Sequence, residues 1–317
     1  MKLILSILSG LCACFLVFSF TSEEQTLLPD LSGYHIFRGA MSQLQPSDDF
    51  VPYQVSASLF SDYAEKQRLI KLPEGTLLTA INDGLPVFPD GTILVKTFYY
   101  PFDKREPAKG RRIIETRVII KMFEGWTAGT YIWNKEQTEA TLLTKGAKLP
   151  VEWLDGKGAS QKINYEVPTV KQCAGCHKTG NALMPLGPKI RNLNIDVSID
   201  NETINQLKFF ETKRLISSIN PTSFGSLPSW EDEHNTLEQR ARAYLEVNCA
   251  HCHQPNGSCA SVNFRPAFET SLADSKIKEK GNRIIKLMQR GRMPYLGTTV
   301  VHEEGLALVK AYINTLK

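Results

Sequence analysis

The chain has 317 residues, of which 42% are hydrophobic and 22% are charged, and this balance is ordinary for a globular protein. The composition therefore argues against a disordered chain, and the length allows two domains or three small ones. The formal net charge of +4 is mild and is not gathered into a long basic run. The charge pattern gives no support to a nucleic-acid-binding role.

Residues 1–20 form an apolar segment with a single charge, Lys2. This pattern predicts a secretory signal peptide, and the alternative is a retained membrane anchor, since about 18 apolar residues just span a bilayer. The stretch Leu11-Cys12-Ala13-Cys14 also resembles a lipoprotein cleavage box with Cys14 as the lipidated residue, although apolar residues continue beyond it. All three interpretations predict export, to the periplasm or to the membrane surface.

Residues 30–166 are predicted to form a β-rich domain. The run from Thr92 to Tyr100 is β-branched and aromatic, and segments 113–121, 129–134 and 138–143 follow it as further strands separated by hairpin turns. We expect a small antiparallel sheet or sandwich that serves as a scaffold. Its aromatic residues suggest a docking or substrate-binding module as the alternative, although aromatics at strand spacing usually belong to a core.

After Pro168 the pattern changes to short helices and loops, and the pentapeptide Cys-x-x-Cys-His occurs twice. The copies are Cys173-Ala-Gly-Cys176-His177 and Cys249-Ala-His-Cys252-His253, which use four of the seven cysteines. This pattern is typical of covalent c-type haem attachment, in which two thiols form thioethers to one porphyrin and the histidine is the proximal iron ligand. The sequence therefore predicts two haem c groups bound through Cys173, Cys176, Cys249 and Cys252, with His177 and His253 as iron ligands.

The second motif lies in a predicted module at 231–317. A helix at 237–247 leads into the motif, a helix at 277–289 precedes Met293-Pro294, and a helix at 304–316 ends the chain. This order resembles a class I cytochrome c domain, whose two terminal helices pack together beside the haem. Met293 is the predicted sixth iron ligand, and a His/Met pair raises the reduction potential. We interpret His251, inside the motif, as structural.

The first motif belongs to a predicted module at 167–230 that includes a helix over 203–219. Met184 lies seven residues after His177 and is followed by proline, as Met293 is, so it is a candidate distal ligand. His234 and His302 are the alternatives, and an iron without a sixth ligand would bind small molecules. Cys259 belongs to neither motif, and we interpret it as an inert thiol or as a cysteine bonded to another chain.

The chain from Tyr34 to its C-terminus resembles a family of bacterial diheme c-type cytochromes whose role is largely unassigned. The resemblance rests on five stretches, 89–98, 129–134, 172–177, 185–188 and 240–253. It implies haem binding and electron transfer but no substrate. The predicted fold class is therefore α+β, with an N-terminal antiparallel β region followed by two small, mainly α-helical, cytochrome c-like haem modules.

The predicted function is single-electron transfer between periplasmic or membrane-associated redox proteins, rather than the chemistry of a classical enzyme. The first alternative is a diheme enzyme of the peroxidase type with one open iron, although the cysteine-free β region argues against a close match. A zinc site built from four thiolates would need a shorter spacing between the two pairs. A thiol–disulfide oxidoreductase would place its cysteines after a strand in a βαβ unit, and neither motif has that setting.

Overall fold

The computed structural model describes residues 27–317 and shows a mixed architecture, with an antiparallel sheet in the N-terminal part and most helices towards the C-terminus. This confirms the α+β class. The predicted signal or anchor segment at 1–20 lies outside the described residues. Across residues 27–317, no helix combines the length and the hydropathy needed to cross a bilayer.

Six antiparallel strands form the main sheet in chain order, and three two-stranded hairpins follow. The main sheet comprises β1 (Val51–Pro52), β2 (Glu65–Lys71), β3 (Ile93–Pro101), β4 (Arg111–Met122), β5 (Gly125–Trp133) and β6 (Ala140–Leu142). The hairpins comprise β7 (Ala147–Leu154) with β8 (Ser160–Val167), β9 (Lys178–Thr179) with β10 (Ala182–Leu183), and β11 (Asp196–Ile199) with β12 (Glu202–Asn205).

Seven α-helices lie between and after these hairpins in residues 27–317. They are α1 (Val170–His177), α2 (Ile190–Leu193), α3 (Gln206–Thr212), α4 (Leu237–Leu245), α5 (Leu272–Ser275), α6 (Ile277–Gln289) and α7 (Glu303–Thr315). A π-helical turn, Glu246–Ala250, continues α4 into the second motif. The four predicted strands and the three predicted C-terminal helices are all present, with bounds that differ by a few residues.

The two faces of the main sheet belong to different cores, because side chains alternate along a strand. Val95 and Val118 point into a core shared with the N-terminal turns. Leu94 points to the other face, where it joins a core that contains Leu207 and Phe210 from α3. The region 167–230 therefore shares a hydrophobic core with the sheet. The predicted boundary between this region and the β-rich domain does not separate two cores.

The helix predicted over 203–219 is shorter than expected. Residues 202–205 pair with β11 as a strand, and α3 begins only after Asn205, whose side chain accepts a hydrogen bond from Leu207 N at 3.0 Å. The helix ends at Thr212, and Arg214 has a φ of 55°. The apolar spacing that suggested one long helix thus comes from a strand and a helix that face the same core.

The helices α4, α6 and α7 form a core of their own. It includes the expected contact residues, Tyr244 and Leu245 from α4 with Leu308 and Tyr312 from α7. A Cβ at Gly305 would lie 2.2 Å from Cζ of Tyr244, so the close crossing of α4 and α7 requires glycine there. Asn248 links the π-helical turn to the segment between β1 and β2, because its Oδ1 accepts a hydrogen bond from Phe60 N at 2.9 Å.

Candidate functional site

The two Cys-x-x-Cys-His motifs lie side by side. Cys252 Sγ donates a hydrogen bond to the carbonyl of Gly175 at 3.7 Å, across 77 residues of sequence. The segments that follow the motifs also meet, since Gly180 N donates to the carbonyl of Asn256 at 2.8 Å. The fold therefore brings the two motifs into one site, whereas the sequence suggested two separate modules.

The first motif occupies α1, which Thr169 caps through a reciprocal pair of hydrogen bonds with Gln172. His177 is the last residue of this helix, and its Nδ1 lies 2.9 Å from the carbonyl oxygen of Met184. The β9–β10 hairpin, which lies between these two residues in the chain, brings them together. A carbonyl only accepts, so Nδ1 carries the proton and Nε2 keeps its lone pair. Metal-ligating histidines are commonly oriented in this way. Burial lowers the pKa of His177 to about 3, with the neighbouring Lys96 adding to the effect, and this keeps the imidazole neutral.

The second motif starts in the π-helical turn after α4. The imidazole of His253 packs edge-on against the ring of Phe264 with centroids 5.1 Å apart. Its Nδ1 is buried and has no hydrogen-bond partner within the part of the chain that the structure describes. Burial lowers the pKa of His253, so this imidazole is also neutral. A neutral, buried histidine with an unsatisfied ring nitrogen is suited to a ligand from outside the chain.

His177 and His253 line one cavity of about 630 Å³. This volume lies within the range of small-molecule and cofactor sites, roughly 300–1,000 Å³. A second cavity of about 110 Å³ lies between α1 and the sheet and is lined by Cys173 and, again, by His177. The two proximal candidates therefore meet at the larger cavity, and His177 lines the smaller one as well.

Positive charge dominates the wall of the larger cavity. Seven basic residues and three carboxylate residues line it within residues 27–317: Lys66, Arg68, Lys96, Arg117, Lys189, Arg191 and Arg265, with Glu246, Glu269 and Asp274. Two of the cations are paired with these carboxylates, Lys189 with Glu246 at 2.5 Å and Arg191 with Glu269 at 2.6 Å. The cavity thus offers positive charge to an anionic ligand.

The four motif thiols are free, as is Cys259. Burial raises the pKa of Cys249 to about 12 and also raises that of Cys173. In the pair Cys176 and Cys252, the hydrogen bond between the two side chains raises the pKa of Cys176 and lowers that of Cys252. Most of these thiols are therefore neutral, and the two motifs face each other through the pair Cys176 and Cys252.

His251 is not merely structural in its position. It lines the larger cavity, and its ring lies with the thiols of Cys176 and Cys252 in a group whose ligand atoms are all within 4.8 Å of one another. Two thiols and an imidazole are donors that zinc accepts. No pattern in the sequence indicates this grouping, because it depends on the packing of two motifs that are distant along the chain.

The predicted sixth ligands have different positions. The backbone carbonyl of Met184 contacts His177, and Met184 also lines the larger cavity. Met293 is partly buried in the loop between α6 and α7 and does not line the larger cavity. A Cβ at Gly175 would lie 2.8 Å from Leu296 of that loop, so the loop packs against the first motif.

The two alternative histidines do not face the cavities. The side chain of His234 is 98% exposed and its Nδ1 contacts Asp232 at 2.7 Å. His302 is buried in an aromatic cluster, where its ring stacks on Phe60 at 4.0 Å and its Nδ1 lies 3.0 Å from the hydroxyl of Tyr244. Burial lowers the pKa of His302 to about 4. Neither histidine is placed to bind a group in the cavity.

The residues of the site fit haem c as a donor set. Each motif presents two thiols and a neutral imidazole, the Nε2 of His177 is left free by its backbone contact, and the buried Nδ1 of His253 lacks a partner. The surplus of cations suits a porphyrin that carries carboxylate groups. The thiols would hold the porphyrin, the imidazoles would hold the iron, and the cavity between them provides the space.

No family model matches this chain, and no curated protein and no solved structure matches it either. The resemblance to bacterial diheme cytochromes therefore stays a prediction. The assignment of function rests on the motifs and on the geometry of the site.

Proposed function

We propose that this chain is an exported diheme c-type cytochrome that passes single electrons between redox partners. One observation carries the proposal: the histidines of two Cys-x-x-Cys-His motifs, His177 and His253, line one cofactor-sized cavity. Haem iron in such a site supplies reversible one-electron chemistry between the ferric and ferrous states. The partners proposed are periplasmic or membrane-associated redox proteins, which follow from the predicted export of the chain.

Each part of the chain has a defined task in this proposal. The paired thiols fix the porphyrin covalently, so the group stays bound when the redox state changes. The carbonyl of Met184 orients His177, and this second contact makes the imidazole a better and more rigid ligand. The backbone hydrogen bond from Gly180 to Asn256, which haem attachment leaves intact, holds the two attachment sites next to each other. Adjacent sites favour electron exchange, because tunnelling slows steeply with distance.

The helical C-terminal part supports the comparison with class I cytochromes c. α4 leads into the second motif and crosses α7 at Gly305, where the ring of Tyr244 occupies the place of a side chain. Met293 is the proposed sixth ligand at this site. Its loop follows α6 and would have to turn its thioether towards the iron held by His253.

The test is to express the full chain in a host that exports proteins and attaches haem c. We expect a red protein whose mass exceeds the mature polypeptide by two haems, and whose alkaline pyridine spectrum is that of thioether-linked haem. A spectrum by electron paramagnetic resonance would then identify both axial ligand pairs. Colourless protein from a host with working maturation machinery would contradict the proposal.

A diheme enzyme of the peroxidase type is the second candidate. The observation that favours it is the wall of the larger cavity: among the described residues that line it, Met184 is the one methionine and every histidine belongs to one of the two motifs. A first iron without a sixth ligand would be open to peroxide. Rapid reduction of hydrogen peroxide by the ferrous protein, together with a high-spin signal from one haem, would favour this candidate over simple electron transfer.

Zinc is the third candidate, because Cys176, Cys252 and His251 lie together. Haem attachment would use both of these thiols as thioethers and so would remove them as zinc ligands. Metal analysis of the purified protein separates the two cases: iron at two per chain supports haem, and zinc at one per chain without colour supports the cluster.

A further inference from the structure

Three basic residues form one row across three neighbouring strands of the main sheet. Arg68 on β2 is the direct cross-strand partner of Lys96 on β3, and Lys96 is in turn the partner of Arg117 on β4. Residues opposite each other share a face, so the three side chains project to the same side of the sheet. All three line the larger cavity together with His177. Lys96 and Arg117 also line the smaller one.

Such a row is unfavourable in the protein by itself. Like charges directly opposite each other in a sheet destabilise it, and charges removed from water need partners. Arg117 has a partner in Glu115, whose carboxylate lies 2.6 Å away. Among residues 27–317, Arg68 and Lys96 have no carboxylate within 4.0 Å; Arg68 donates to the hydroxyl of Ser58 at 2.7 Å instead.

Two members of the row, Arg68 and Lys96, are not neutralised by a carboxylate of the described chain. The carboxylate of Glu115 lies on the same face, where Glu115 is the cross-strand partner of Phe98, but it is already the partner of Arg117.

Lys66, two residues before Arg68 and on the same face, is a further basic residue and donates to the carbonyl of Ala64 at 3.2 Å. Burial lowers the pKa of Lys66 to about 7, and burial together with the neighbouring Arg68 lowers the pKa of Lys96. An anion from outside the chain would favour the charged form of both side chains.

We propose that Arg68, Lys96 and Arg117 bind the carboxylate groups of the haem attached at the first motif. This inference rests on the proposed function, because it takes the haem at His177 as given. Guanidinium groups bind carboxylates in a bidentate manner, and the ammonium group of Lys96 between them adds a point charge. The β-rich domain is then one wall of the first haem site, and it holds the porphyrin by charge where α1 holds it covalently.

The experiment compares single variants in the full-length, matured protein. Lys96→Met and Arg68→Gln remove one charge each from the row, and Arg68→Lys retains the charge. Lys71→Met is the matched control, since Lys71 lies on β2 with Arg68, points to the opposite face and pairs with Asp49 at 2.7 Å. The haem carboxylates are labelled by growth on carboxyl-¹³C 5-aminolevulinate, and infrared difference spectra record the labelled bands on reduction.

We expect the labelled carboxylate bands of one haem to shift in Lys96→Met and Arg68→Gln, and to stay as in the wild type in Lys71→Met. Arg68→Lys should restore most of the wild-type spectrum. Loss of a positive charge from the wall of the haem site would also favour the ferric form. The ferrous-to-ferric ratio of that haem at a fixed potential should fall about tenfold, which corresponds to ~59 mV for a one-electron couple.

Three outcomes would overturn the inference while leaving the proposed function intact. Labelled bands that are unchanged in both charge-removing variants would show that the row does not touch the haem carboxylates. Loss of a low-spin signal in Lys96→Met would show that Lys96 binds the iron instead. Bands that shift in the variants only after a free organic anion is added would assign the row to a diffusible anion. Colourless wild-type protein, in contrast, would refute the proposed function itself.

Discussion

The two copies of the Cys-x-x-Cys-His motif have the same chemistry but different surroundings. The first lies on a short helix packed towards the sheet, its histidine is oriented by a backbone carbonyl, and cations face it from three strands. The second lies at the end of α4 in a helical core, and its histidine packs against Phe264 without a partner for Nδ1. The residues proposed to attach haem are thus the same five positions in both motifs, whereas their surroundings differ, so we expect two attached haems to have different potentials.

The largest expected effect comes from removing one motif at a time. Cys249→Ala with Cys252→Ala should halve the haem content and leave a protein with only the sheet-side haem. Cys173→Ala with Cys176→Ala should do the same for the helical side. Redox titration of the two proteins then gives each potential separately, and two distinct values are expected. No loss of haem in either protein would contradict covalent attachment at that motif.

The next effect distinguishes the two methionines. Met293→Ala should keep both haems attached but lower one potential, on the order of 0.1 V, because axial ligand identity moves haem potentials over about 0.8 V. The exposed iron should then bind carbon monoxide. Met184→Ala is the matched variant, and it should leave carbon monoxide excluded to the wild-type extent, because the carbonyl that contacts His177 belongs to the backbone. The opposite pattern would make Met184 the ligand.

A third effect tests the helical side alone. Gly305→Ala should lower the free energy of unfolding by about 2 kcal/mol, because its Cβ would lie 2.2 Å from the buried ring of Tyr244 and the crossing of α4 and α7 would have to open. Gly156→Ala is the control, since nothing lies within 4 Å of the added Cβ and its φ is not positive. Urea unfolding measures both, and equal losses would contradict a close crossing.

The smallest effect concerns pH. His302 is buried as the neutral form, and burial lowers its pKa from 6.5 to about 4. Between these values the unfolded chain binds a proton that the folded chain does not, so stability is complete above about pH 6.5 and falls as the pH falls towards 4. The slope from one such group is at most about 1.4 kcal/mol per pH unit. His302→Gln should flatten the wild-type curve in this window, and an unchanged slope would contradict the assignment.

Much of the local structure was predictable from the sequence. The β-branched run at 92–100 and the caps and periodicity of the last three helices indicated elements that the structure contains. The failure at 203–219 has a clear cause, because apolar residues of β12 and α3 face one core and imitate a single helical stripe. Periodicity reports burial on one side, and it does not say whether the chain turns between two buried segments.

The site was predictable in part. The thiols and histidines of both motifs are candidates from five-residue patterns alone, since the proposed thioether attachment needs those residue types at that spacing. The row of basic residues was missed. Lys96 inside an apolar strand, and the basic residues at the alternating positions 66 and 68, were a signal that could have indicated it. The contact of His251 with Cys176 and Cys252 had no signal at all.

By itself the sequence determined where the two Cys-x-x-Cys-His motifs lie, because the residue types that the proposed haem attachment needs occupy neighbouring positions. Only the tertiary structure decided that the two motifs share one cavity, that a sheet supplies the charged wall, and that Met184 lies beside His177. The physical reason is that strand register and helix crossings bring together residues that are far apart along the chain. Those contacts depend on the packing of whole faces, which no short pattern encodes.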